Sequence, residues 1–389
     1  MSIKKIVAFT GIRSDYDLMS GLYRKIASDS DMELGLIVSG AHLSETYGYT
    51  VQYIENDDVP ILDKIETLID SDSPSSRVKS AAILLQCCIH SIEKFKPSVI
   101  IYAGDREDAM VGALVGAYLK IPSIHFFGGD HTVDGNVDNP VRHAISKLSS
   151  LHFVSHHSHV ERLVKMGEPK RRIYNIGSPA LDKFYEEPLI EKNELLKIVS
   201  RPEWIAGDYA IVIFHPILGQ EENSGGYFED ILTALKELGI KAFVGYPNID
   251  SGNKKIIEVI KRYLNDRQYL FYENFSRNIF INMMRHASFM IGNSSAGIVE
   301  SPIIPLGVVN VGSRQKGRYA ASNVIFVEQS HNEIKKAIKT VLSAEFKEKL
   351  KFVESPYGDG KSVDKAYNLI KSLDIESFKY KTEDPLVNE

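Results

Sequence analysis

The chain has 389 residues, of which 43% are hydrophobic, 25% charged and 10% aromatic, a composition that fits two soluble domains of ordinary size. Its formal net charge of −5 excludes a global attraction to nucleic acid or an anionic membrane, so an anion site must gather Arg and Lys locally. No apolar run reaches the roughly 20 residues of a membrane span, and Ile6–Phe9 is too short for a signal-peptide core, so the expected location is cytoplasmic.

The first predicted strand, Lys5–Phe9, runs into Gly11-Ile12-Arg13-Ser14-Asp15-Tyr16-Asp17 and a helix over 15–28. This turn is not G-x-G-x-x-G, so the dinucleotide fingerprint is absent from it. Arg13 stands where a phosphate oxygen would meet a helix N-terminus; as a plain alternative it is a surface residue paired with an N-capping Asp15. After the strand Leu34–Ser39 comes the apolar helical stretch AAILLQCCIH. Its adjacent Cys87 and Cys88 point in different directions and read as two buried, reduced thiols. The strand Ser98–Ala103 leads into Gly104-Asp105-Arg106 and a helix over 106–119. Asp105 there suits binding of sugar hydroxyls, action as a base, or capping of the helix.

Between the strand Ser123–Phe127 and a helix over 139–149 lies the richest segment. It reads Gly128-Gly129-Asp130-His131 and continues through Asp134 and Asp138 to Arg142-His143. Carboxylates gathered by such a loop suit proton transfer at carbon: one takes a proton and another, its pKa moved by its neighbour, returns one. Metal ligation by His131, Asp134 and Asp138 is the rival chemistry, but no recognised ligand spacing is present and no metal is expected. Around the next strand, Leu151–Val154, and the helix over 158–166, His152, His156, His157 and His159 straddle a strand end, which suits a solvated or structural role. After the strand-like Ile173–Ile176 the series breaks at Gly177–Leu189, read as a hinge, and restarts at Tyr209.

The second series comprises Ala210–Phe214, Lys241–Gly245, Tyr269–Tyr272, Phe289–Ile291, Leu306–Asn310 and Val324–Val327. Near-continuous apolar strands alternating with helices mean parallel sheets covered on both faces, with ligands bound outside the strand carboxyl ends. His215 ends one strand, placed to donate to a diphosphate. Ser294, Ser295 and Gly297 lie in a small polar loop before a helix, an anion cradle, with Glu300 one turn in to accept from a ribose diol. The P-loop Lys is missing. Arg314, Lys316 and Arg318 put three cations in five residues after a strand, the local positive patch an anion requires. No interleaved aromatics accompany them, so nucleic acid is not the expected partner. The predicted fold is α/β, with two Rossmann-like doubly wound domains over 1–180 and 181–361. A helix over 362–374 is a candidate to complete the first, and 375–389 is a loose or partner-docking tail.

Taken in order, GIRSDYD, SGAHLSETYGYT, AGDRED, the FGGD block running to RHAISKLSSLHF, IGSPALD, FHP, GNSSAGIVE and VGSRQKGR carry a family likeness. From about residue 4 to residue 365 the chain resembles the hydrolysing UDP-N-acetylglucosamine 2-epimerases of bacterial sialic and legionaminic acid pathways. The resemblance implies a GT-B-like architecture with the active site in the interdomain cleft, a nucleotide-sugar substrate, no cofactor, and a homodimer or homotetramer. It also implies the chemistry. Loss of the anomeric diphosphate acidifies C2–H, a carboxylate takes that proton to give a 2-acetamidoglycal, and water adds at C1 while a proton returns to C2 from the other face. Carried over by motif, Asp105, Asp130 and Asp138 would be the acid/base groups. Arg13, His215, Ser294, Ser295 and Arg314 would hold the diphosphate and Glu300 the ribose, with Gly297, Lys316 and Arg318 completing the nucleotide site. Uracil or guanine would lie near Tyr272 and Phe275.

One position departs from the pattern: the family usually has Gly-Gly-Glu where this chain has Gly128-Gly129-Asp130, a carboxylate one methylene shorter. Either the base role is shared with Asp134 or His131, or the sugar is a variant such as a 2,4-diacetamido-6-deoxy sugar on UDP or GDP. A GT-B glycosyltransferase and a sugar-nucleotide sensor without turnover are the competing readings.

Overall fold

Runs of Val, Ile and Leu with no polar face can only be satisfied by burial on both sides, and the chain builds two parallel sheets from them. The computed structural model describes residues 3–69, 74–132, 137–204, 208–248 and 250–386. The first sheet contains β1 (Lys4–Thr10), β2 (Met32–Ser39), β3 (Ile61–Ile65), β4 (Val99–Ala103), β5 (Ser123–Phe126), β6 (Leu151–Val154) and β7 (Ile173–Asn175). Its order is β3-β2-β1-β4-β5-β6-β7. The second contains β8 (Tyr209–Ile213), β9 (Lys241–Gly245), β10 (Tyr269–Tyr272), β11 (Phe289–Gly292), β12 (Val308–Val311) and β13 (Val324–Val327), ordered β10-β9-β8-β11-β12-β13. Of these, β3 escapes the sequence pattern. It is an edge strand, and Asp63 and Lys64 break up its short apolar run as edge strands often require.

Both sheets reverse direction at one place. Successive crossovers from β1 move outward to β3, and the chain then returns to lay β4 on the other side of β1. The same happens between β8 and β11. Such a switch point leaves a crevice outside the strand carboxyl ends, and that is where ligands bind in open α/β sheets.

Close contacts divide the chain into two units. The first is Met1–Asp130, Val137–Lys183 and Tyr357–Glu389; the second is Phe184–Pro356 with His131–Asn136. In the first unit, the helix Arg13–Ala27 buries Tyr16, Met19, Tyr23 and Ile26 at helical spacing. The helix Ser362–Ser372 adds Val363, Ala366 and Ile370 to the same core. Each such large apolar side chain contributes about 1.5–3 kcal/mol on burial. The C-terminal helix is started by a residue far away in sequence: Asp182 accepts from Ser362 N at 3.0 Å and from Val363 N at 2.7 Å. The IGSPALD stretch is therefore the anchor of that helix, and the chain passes to the second unit after it, between Lys183 and Phe184.

Residues 375–386 are not a loose tail. Fully buried Arg172 donates to Phe378 O at 2.7 Å, Tyr380 O at 2.6 Å, Ser150 O at 3.1 Å and both oxygens of Glu383 at 2.7 and 3.0 Å. Lys381 adds a bond to buried Glu168, which also meets His152 at 2.9 Å. Apolar periodicity is absent from the tail because charge-assisted hydrogen bonds hold it in place of packing. One smaller expectation also changes: Cys88 is buried but Cys87 is exposed. Of the two roles expected for the histidines, burial of His152, His156 and His159 fits the structural one.

Candidate functional site

At the first switch point, β1 ends in Gly11 and β4 in Gly104-Asp105. Asp15, the third residue of its helix, reaches back to Gly11 N at 3.1 Å, Ile12 N at 3.2 Å and the Thr10 hydroxyl at 2.9 Å. This fixes the turn and satisfies helix-start N–H groups. Arg13 does not pair with Asp15; its guanidinium lies over the Tyr53 ring at 4.6 Å and meets Asp17 at 3.4 Å. His42, in the SGAHLSETYGYT stretch, is buried behind the turn, 3.0 Å from the Thr10 hydroxyl and 2.8 Å from that of Thr50.

Asp105 forms an ion pair with Arg142, a buried residue whose Nε and Nη1 have no hydrogen-bond partner among the described residues. Arg142 stands one turn beyond Asp138 on the helix Asp138–Leu148, so the two share a face of this helix. Behind them His125 Nε2 lies 2.8 Å from Gly104 O and its Nδ1 3.0 Å from Ser146 Oγ. A carbonyl only accepts, so Nε2 carries the proton and Nδ1 accepts from the serine. Burial lowers the His125 pKa to about 3, so this brace is neutral.

Asp108, 5% exposed, lies under the same turn; a Cβ on Gly11 would sit 2.8 Å from its Oδ1. Its Oδ2 has no hydrogen-bond partner among the described residues. Burial and then the Asp15 carboxylate push the Asp108 carboxyl up to about 8. The folded protein thus holds this proton more tightly than the unfolded chain, and stability declines as pH rises toward that value. Asp108→Asn keeps the shape without the ionisation. From about pH 5 to pH 8 its melting temperature is expected to rise relative to the unsubstituted protein; parallel curves would discard the assignment.

Asp130 closes the turn after β5. Gly129 adopts φ +77°, and a Cβ there would lie 2.5 Å from His159 O, so the turn rests directly on the helix His157–Lys165. Arg162 of that helix donates to Gly129 O, and His159 Nε2 stands 3.5 Å from Asp130 Oδ1. His131 is half-buried beside Asp130, and Asp134 lies outside the described residues.

At the second switch point, His215 after β8 and Asn293 after β11 clasp each other. Asn293 Oδ1 accepts from His215 N and its Nδ2 donates to His215 O, both at 2.8 Å. His215 Nδ1 accepts from Asn248 N at 3.1 Å, which leaves Nε2–H as the free donor of the ring. Burial, with Arg314 nearby, lowers the His215 pKa to about 3, so it donates as a neutral imidazole. Arg314 and Gln315 both donate to Asn293 O, at 3.2 and 2.9 Å. The sheet can close here only because residue 292 is Gly: at φ +137° a Cβ would stand 1.9 Å from Ile213 O.

The three-cation patch is divided by the fold. Arg314 joins the His215–Asn293 clasp, Arg318 donates to Gln315 Oε1 at 2.8 Å, and Lys316 is exposed. The helix after the expected cradle is only Ala296–Val299, too short for a helix dipole to matter, and the Ser294 hydroxyl accepts from Ala296 N at 3.3 Å. Ser295 is exposed, and Gly297 serves packing, since a Cβ there would meet Val308 at 3.0 Å. Glu300 is buried and paired with Arg277 at 2.6 Å. Tyr272 and Phe275 stack at 4.5 Å beside a recess of about 520 Å³ between 198–200 and 270–275. The Tyr272 hydroxyl is turned inward toward Gly245, so this residue offers a ring and not a donor.

Among the described residues no group of three or more His, Cys, Asp or Glu side chains is arranged to hold a metal, and no helix is long and apolar enough to cross a membrane. A family model described as UDP-N-acetylglucosamine 2-epimerase matches residues 24–371. The chain belongs to this epimerase family. A UDP-N,N'-diacetylbacillosamine 2-epimerase (hydrolyzing) of Legionella pneumophila is 32% identical over 377 residues, covering 96% of this chain and 97% of the relative. A GDP/UDP-N,N'-diacetylbacillosamine 2-epimerase (hydrolyzing) of Campylobacter jejuni is 32% identical over 351 residues, 90% of each. The crystal structure of a UDP-GlcNAc 2-epimerase from Neisseria meningitidis, bound to UDP-GlcNAc, superimposes with a TM-score of 0.79 at 17% identity, covering 95% of this chain and 100% of that one. The architecture is that of the GT-B-like epimerases: two Rossmann-like α/β domains.

Around its candidate residues this epimerase carries partners that no local motif announces, namely Arg142 for Asp105, His159 for Asp130, Asn293 for His215 and Arg277 for Glu300. Only Arg142 left a sequence signal, its spacing of four residues from Asp138.

Proposed function

We propose that the chain is a hydrolysing nucleotide-sugar 2-epimerase, which splits a UDP- or GDP-linked 2-acetamido sugar with water and releases the manno-configured sugar and the nucleoside diphosphate. The observation that carries this reading is the Asp105–Arg142 pair at the β1/β4 switch point, with Asp138 on the helix of Arg142 and Asp130 at the next strand end. Several carboxylates at adjoining strand ends are what proton removal and return at one carbon require. In this reading the His215 Nε2–H, Arg314 and the Ser294 loop hold the diphosphate and stabilise the charge that gathers on it as the C1–O bond breaks. Arg13 adds a further cation, and Tyr272 and Phe275 offer ring faces to the base. One carboxylate takes the C2 proton, the electron pair closes a C1–C2 double bond, and the diphosphate leaves. Water then adds at C1 and a second carboxyl protonates C2 from the opposite face.

The sugar we favour is a 2,4-diacetamido-6-deoxy sugar. Support comes from relatives named for UDP- or GDP-linked N,N'-diacetylbacillosamine and from Asp130 in place of the usual Glu. We further expect a homodimer or homotetramer, which sedimentation reads directly. The test is incubation without an acceptor in D2O, using UDP-N,N'-diacetylbacillosamine, its GDP analogue and UDP-N-acetylglucosamine. Release of nucleoside diphosphate with deuterium at C2 of the freed sugar is expected. Tight UDP binding with no turnover on any of the three sugars would instead favour a sensor.

A further inference from the structure

Beyond the carboxylates themselves, the turn that carries Asp130 is built against one helix. Gly128 runs over His125 and Ser146, where a Cβ would lie 2.9 and 3.0 Å from their side chains, and Gly129 rests on the His159 backbone. With Arg162 on Gly129 O, the turn and the helix His157–Lys165 are keyed together at two points. His159 is 5% exposed, and its two ring nitrogens differ sharply. Nε2 faces Asp130 Oδ1 at 3.5 Å, whereas Nδ1 is buried with no hydrogen-bond partner among the described residues. A protonated Nδ1 would be a buried donor without an acceptor, which is costly, so the favoured tautomer places the proton on Nε2, toward the carboxylate.

The other groups around His159 do not compete for that role. His156 stands edge-on at 5.9 Å with its own Nδ1 engaged by Ser158, and burial first, then His157 and His159, lower its pKa to about 4. The Tyr357 ring is 6.3 Å away, from the segment that resumes the first unit. Arg162, which donates to Gly129 O, and His157 lie on the same helix, as do Glu161 and Lys165, and Arg142 acts on Arg162 from another helix. Asp130 is the anion the imidazole faces.

We propose that His159 is a positioning partner of Asp130: its Nε2–H holds the Oδ1 carboxylate oxygen. The separation of 3.5 Å is within ion-pair reach and longer than a made hydrogen bond. A carboxylate one methylene shorter than Glu is thereby held in a defined place, and proton transfer depends on that. The proposal rests on the epimerase chemistry above, but its test separates the two.

The test uses His159→Gln and His159→Phe in the full chain, assayed for C2 exchange and diphosphate release. The Gln amide replaces the Nε2–H donor without titrating; Phe fills the space without donating. In His159→Phe, kcat falls about 100-fold with KM within about twofold, while His159→Gln recovers at least tenfold of that loss. A His159→Gln rate no better than that of His159→Phe overturns the proposal, as does a His159→Phe rate within threefold of the parent protein. Imidazole 15N spectra decide the pairing even without turnover. The His159 signals, assigned by their loss in His159→Gln, are expected to show the Nε2–H tautomer and to move in Asp130→Asn. Unmoved signals overturn the pairing, whereas absence of turnover in the parent protein counts only against the epimerase reading.

Discussion

Asp105→Asn is expected to lower the rate of nucleoside diphosphate release by about 10²–10⁴-fold, the range that a positioned acid or base contributes. Asp105 lies at the carboxyl end of β4, beside the switch point, and its partner Arg142 is buried. Asn keeps an oxygen for that guanidinium, so the fold is retained, but the amide neither takes nor returns a proton. The variant therefore separates chemistry from architecture. Its circular dichroism melt should resemble that of the parent protein, and UDP affinity, expected to rest on the second unit, should change by less than about threefold. More than a tenth of the original turnover in a well-folded Asp105→Asn would remove Asp105 from the acid/base set.

Arg172→Met is expected to cost about 3–5 kcal/mol of stability, the scale for breaking a buried, hydrogen-bonded ion pair from one side. Methionine fills the stem of the side chain but deserts the carbonyls of Ser150, Phe378 and Tyr380 and leaves Glu383 with only Arg171. The C-terminal segment then loses the centre of its attachment and keeps Lys381, on Glu168 and the Ser146 and Lys147 carbonyls, together with Arg171 on Glu383. Urea unfolding reads the energy, and limited proteolysis reads the release of residues 376–386. A loss below about 1 kcal/mol, with the tail still protected, would show that the apolar contacts of Ile375 and Phe378 hold it without the arginine.

The two predictions differ in how far the sequence alone could have led to them. Asp105 was visible because a carboxylate directly after a continuously apolar strand belongs at a ligand-bearing sheet edge. Arg172 was not, because it sits in a run of three basic residues, Lys170–Arg172, that reads as a solvated surface. Its Glu383 partner lies 211 residues away, in a segment with no apolar period. His159 was passed over for a similar reason. Four histidines near a strand end look structural until the Gly128–Gly129 turn is folded onto the helix beneath it. The three-cation patch shows the converse: composition marks where charge is concentrated, but backbone direction after β12 sends Arg314 toward Asn293 and Lys316 into solvent.

By itself the sequence determined the strands other than β3, the doubly wound class and the identity of the post-strand residues. These follow from hydrophobic period and turn chemistry, both local along the chain. Only the tertiary structure decided which partner each of those residues meets: Arg142 for Asp105, His159 for Asp130, Asn293 for His215, Arg172 for the C-terminal segment. Periodicity records which face of an element is buried but not what is packed opposite it. Direct contacts between polar groups distant in sequence arise only after the sheets have closed and water has been excluded from between them.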